Sequence, residues 1–98
     1  MNARVEFLKV IERWGAVKCA HITTEDYVNA VLCVDHTEEE FAKFLELLDF
    51  VYNSGFGGQN LYGTIWLKDN NWVDRGEYDG SEWWQLHSLP PIPSNLLK

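Results

Sequence analysis

Three runs decide the fold: Leu61-Tyr62-Gly63-Thr64-Ile65-Trp66-Leu67-Lys68, Trp72-Val73-Asp74-Arg75-Gly76-Glu77-Tyr78 and Glu82-Trp83-Trp84-Gln85-Leu86-His87. The first alternates, with Leu61, Gly63, Ile65 and Leu67 on one side and Tyr62, Thr64, Trp66 and Lys68 on the other. That is the period of a half-buried strand. Asp69-Asn70-Asn71 supplies a turn, and Asp79-Gly80 is a hairpin signal. The three runs therefore read as an antiparallel meander. Pro90, Pro91 and Pro93 stop regular structure after it. Adjacent Trp83 and Trp84 must point to opposite faces of their strand. One belongs in the core; the other is exposed or covered.

Working back towards the N-terminus, residues 3–14 read as a helix. Phe7, Leu8, Ile11 and Trp14 form its apolar stripe, Asn2 caps it and Gly15 closes it. Residues 16–22 read as a strand, with Val17, Cys19 and His21 facing one way and Lys18, Ala20 and Ile22 the other. Residues 28–34 read as its returning partner, rich in β-branched side chains. The rival is a short helix capped by Thr24, carrying Val28, Val31 and Leu32 inward. Thr37-Glu38-Glu39-Glu40 is a capping box that opens a helix over about 38–50, with Phe41, Phe44, Leu45, Leu48 and Tyr52 as its stripe. Asn53 to Gly58 ends it as a loop. Strands and helices mix without βαβ alternation. The expectation is one α+β domain over residues 1–98: an antiparallel sheet of about five short strands with two helices packed on one face.

Charge is unevenly placed. The chain carries −7 in 98 residues. Residues 25–49 hold eight carboxylates against Lys43 alone, while residues 1–24 are net +2. Such a balance disfavours direct nucleic-acid binding, which relies on Lys and Arg at phosphates, and disfavours an anionic membrane surface. A solvated helix face with dipole-friendly caps explains part of the cluster, and Glu39 with Lys43 is an ordinary i,i+4 pair. The functional alternative is an acidic surface for a basic partner, on Glu25, Asp26, Asp35, Glu38, Glu39, Glu46 and Asp49. Duplex DNA carries one charge per roughly 1.7 Å of axis, a density that carboxylates on a helix and its loops can approximate.

Other constellations are weaker. Cys19-x-His21 and Cys33-x-x-His36 would approach one another if 19 and 33 pair across a hairpin centred on residue 26, but their spacings are unlike common zinc motifs, so buried reduced thiols are expected and no metal or other cofactor. Glu77, Asp79 and Glu82 interleave with aromatics, as carboxylates and Trp do in glycosidases. With no sign of a cleft, the expectation is no enzyme. Trp72, Glu77, Asp79, Glu82 and Trp83 stand instead as a secondary partner-binding patch. The N-terminus lacks the apolar segment of a secretory signal, which points to a cytoplasmic chain.

Gly57-Gly58-Gln59, Gly63-Thr64-Ile65-Trp66, Trp72 and Arg75 through Trp84, with the trailing Pro91-Ile92-Pro93, resemble short proteins of tailed phages and prophages. The resemblance covers about residues 48–93. Asn70-Asn71 departs from it, where a glycine-containing turn is expected. Size, charge and this origin are similar to those of anti-CRISPR proteins, some of which act as DNA mimics on a Cas surveillance complex. The resemblance implies a phage inhibitor acting in the host cytoplasm on a protein or ribonucleoprotein with a basic nucleic-acid groove.

Overall fold

The alternation in residues 61–87 is realised as three strands joined to an N-terminal hairpin. The computed structural model describes residues 2–24, 28–52, 59–78, 81–88 and 93–96. The elements are α1 (Ala3–Trp14), β1 (Val17–Thr24), β2 (Asn29–Leu32), α2 (Glu38–Leu47), β3 (Leu61–Leu67), β4 (Trp72–Tyr78) and β5 (Ser81–His87), then a 3-10 turn at Ser94–Leu96. One antiparallel sheet runs in the order β2-β1-β3-β4-β5. The architecture is α+β, with both helices on one face. No described helix is long and apolar enough to cross a membrane.

Local chemistry sets the helix ends. The Asn2 side chain accepts the Val5 N–H at 3.0 Å, and Gly15 donates to Ile11 from a positive φ of 120°. In α2 the Thr37 hydroxyl accepts from Glu40 N–H while Glu40 accepts from Thr37 N–H, a reciprocal cap. The inward row of α1 is Ala3, Phe7 and Val10, with Ile11 and Trp14 partly buried; Leu8 lies outside it, a correction to the expected stripe. Phe7 meets Phe44 of α2 edge-on at 5.1 Å, inside one continuous core.

Three further expectations are corrected. Helix α2 stops at Leu47 rather than near 50, because Phe50 and Val51 turn away to pair with the start of α1. Phe50 accepts the Ala3 N–H, and Val51 bridges to Asn2. Tyr52 therefore lies beyond the helix. In β1 a bulge between Val17 and Cys19 inserts one residue. Val17, Ala20 and Ile22 are buried, whereas Cys19 and His21 sit opposite Trp66 and Thr64 on the other side. The thiols are not core residues either: Cys19 is half-buried and Cys33 exposed. The strand expected within 28–34 forms at Asn29–Leu32 and pairs with β1, Ala20 opposite Leu32, in place of the rival helix.

The Asn70 departure has a clear physical reading. Asn70 takes φ 71°, the left-handed conformation that glycine adopts freely and asparagine tolerates. Asp69 accepts the Asn71 N–H at 3.1 Å and holds the turn.

Candidate functional site

The alternation of β3, β4 and β5 sends one set of side chains under the helices and the other to a face that no described helix covers. Register places Trp66 opposite Trp72 and Trp72 opposite His87. The Trp72 and His87 rings stack at 5.6 Å and 15°. The next row is polar: Thr64 lies opposite Asp74, and Asp74 opposite Gln85. Asp74 Oδ1 accepts from Gln85 Nε2 at 3.0 Å and lies 2.7 Å from His87 Nε2. Beyond this stripe Trp83 lies over Gly76, where an added Cβ would come within 2.6 Å of the indole nitrogen.

Four aromatics on this side remain exposed: Tyr62 40%, Trp66 44%, Trp83 41% and Tyr78 77%. On β3, β4 and β5 the face carries a single acidic residue, Asp74. Two aromatic ridges thus flank a hydrogen-bonded polar row. The expected Trp72 and Trp83 belong to this face. Tyr62, Trp66, Asp74, Tyr78, Gln85 and His87 were not among the expected contacts, although strict alternation from Trp66 and Trp72 would have placed most of them.

Beneath the sheet lies a charged cluster built on Arg75. Arg75 faces inward with Val73. Its guanidinium sits 4.8 Å from the Trp84 ring centroid and 5.7 Å from that of Tyr52. Arg75 Nη2 donates to Glu82 Oε1 at 2.6 Å and to the Tyr52 hydroxyl at 2.9 Å, and Tyr52 donates to Glu6. Glu82 also accepts the backbone N–H groups of Asn60 and Leu61 at 2.7 and 2.9 Å. Burial, and then the bond to Glu6, push the Tyr52 hydroxyl well above its ordinary pKa, so it remains a donor.

This cluster corrects one expected contact. Glu82 is 5% exposed and both its oxygens are occupied, so it is not surface for a partner. Glu77 is opposite Glu82 in register and is exposed. Asp79 lies outside the described residues.

The acidic segment is only partly gathered. Asp35, Glu38, Glu39 and Glu46 are exposed. Helical spacing puts Glu39 and Glu46 on the outer row of α2, with Lys43 between them. Asp49 is tied to Arg4 at 3.9 Å and to Asn2 at 3.1 Å. Glu25 and Asp26 lie outside the described residues. Among the described residues no three His, Cys, Asp or Glu side chains gather as a metal site.

A comparison with family models, curated proteins and solved structures finds no match to the chain.

Proposed function

We propose that this chain is a non-catalytic binding domain whose open sheet face docks a protein partner. The observation that carries this reading is the uncovered aromatic surface of Tyr62, Trp66, Trp72, Tyr78 and Trp83 around the Asp74 row. Exposed apolar patches with polar borders mark interaction surfaces, and Trp and Tyr are preferred anchors because they bury much area at little entropic cost. The near absence of charge on this face of β3–β5 makes the attraction short-ranged.

Capture of the partner from the native cell by the tagged chain tests this. Trp66→Ala and Trp83→Ala should each weaken capture about tenfold or more. Capture by the unaltered chain should change little between about 0.05 and 0.5 M salt. Unchanged capture by both Trp variants would sink the reading.

A second reading rests on the exposed acids of α2 and on the resemblance to phage proteins. In it the chain inhibits a host nucleic-acid-handling defence complex, anti-CRISPR-like, with Glu38, Glu39 and Glu46 occupying a Lys/Arg-lined DNA site. Long-range attraction of this kind is screened by salt. Here Glu38→Lys/Glu39→Lys should abolish capture while the Trp variants retain it, and high salt should release the partner. Full capture by the charge-reversed chain at both salt concentrations would remove this reading.

A further inference from the structure

On the helix side of the sheet, a cavity of about 240 Å³ opens between α1 and β5. Lys9, Arg13 and Trp14 of α1 line it, with Glu6, and Trp84 contributes from β5. We propose that this cavity binds a small oxyanion carried on a flat apolar body, an aromatic carboxylate.

Three observations converge on that chemistry. First, Trp84, which lines the cavity, carries an indole N–H that has no hydrogen-bond partner among the described residues. Trp84 is 8% exposed, and the Arg75 guanidinium lies against its ring. A buried donor left unmatched is costly, and an acceptor brought to it recovers that cost. Second, the rim is cationic in a chain that is strongly acidic elsewhere. Lys9 and Arg13 stand one helical turn apart, both exposed, and Arg13 is held 5.2 Å over the Trp14 ring. The carboxylate at the rim, Glu6, is already answered: it accepts from Tyr52, and its other oxygen faces Arg75 Nη1 at 3.9 Å. Third, the walls between the charges are indole and valine, and the volume exceeds the roughly 150 Å³ of an engineered apolar cavity that takes benzene. A ring with one carboxylate matches both the size and the division of chemistry. This site lies on the opposite side of the sheet from the open aromatic face and is independent of it.

Benzoate is the test probe. In proton–nitrogen NMR spectra of the full chain, the Trp84 indole N–H signal, assigned by its loss in Trp84→Phe, should move saturably downfield with a dissociation constant on the order of 1 mM. Lys9→Gln/Arg13→Gln should weaken binding about tenfold or more, and so should replacing benzoate by neutral benzamide. Both substituted side chains are exposed, so the remaining spectrum reports that the fold is retained. An unmoved Trp84 signal overturns the proposal. Equal affinity for benzamide, or for benzoate in the double variant, overturns it as well, because the cavity would then be reading the ring and not the charge.

Discussion

Arg75→Met should cost about 3–5 kcal/mol of folding stability, the scale found when one partner of a buried ion pair is removed. That is a large share of the roughly 5–15 kcal/mol that holds a domain together. The reason is what stays behind. Glu82, its side chain fully buried, would keep two backbone N–H partners but lose its countercharge. Glu6 and Tyr52 would lose the cation that faces them. Methionine fills much of the space between the Tyr52 and Trp84 rings, so the loss reports charge more than volume. Denaturant unfolding measures it. The double variant Arg75→Met/Glu82→Gln should recover part of the loss, since the amide oxygen still accepts an N–H and no buried charge remains. A loss below about 1 kcal/mol in Arg75→Met, no more than one ordinary hydrogen bond, would show that the cluster does not hold the sheet.

Gly63→Ala should be comparably damaging, at about 3 kcal/mol or more. Gly63 has φ 145°, a conformation closed to alanine, and an added Cβ would lie 2.2 Å from the His21 carbonyl oxygen and 2.9 Å from Ile22 Cα. Both obstacles are backbone of β1, the neighbour of β3 at the middle of the sheet. Neither can move without opening that ladder. Gly76→Ala provides the contrast. Its obstacles are the Trp83 indole and the Gln85 amide, which are side chains and can rotate. A smaller loss of about 1–3 kcal/mol is expected there, with Trp83 lifted from the sheet. Thermal unfolding of the two variants side by side checks the order; a Gly63→Ala chain as stable as the parent would refute the argument.

Much of this fold was legible because its signals are local. The capping box at Thr37 and Glu40, the Asn2 cap and the alternation of Leu61 to Leu67 each specify an element through neighbours a few residues apart. The β1 bulge was not legible. One inserted residue leaves composition unchanged, yet it reverses the faces of Cys19 and His21 relative to Val17. The end of α2 depended on a contact with Asn2 and Ala3, far away in sequence. The buried cluster had a readable trace that polarity obscured. Arg75 shares the parity of Val73, and Glu82 that of Trp84, so alternation alone turns both inward. Ionised side chains are rarely buried without partners, and the partners Tyr52 and Glu6 are supplied by other elements. The acidic surface was read as a segment of sequence. In space, Lys43 and Arg4 interrupt it.

The open aromatic face also has a colloidal consequence. A surface of this kind invites copies of the chain to stack on one another. A net charge of −7 opposes that, because mutual repulsion acts before the short-ranged aromatic contact can form. The acidity of α2 and its flanks thus serves as a spacer between molecules, whatever else it meets. Near the isoelectric point of about 4.7 the spacer vanishes, and the exposed indoles become the stickiest part of the molecule.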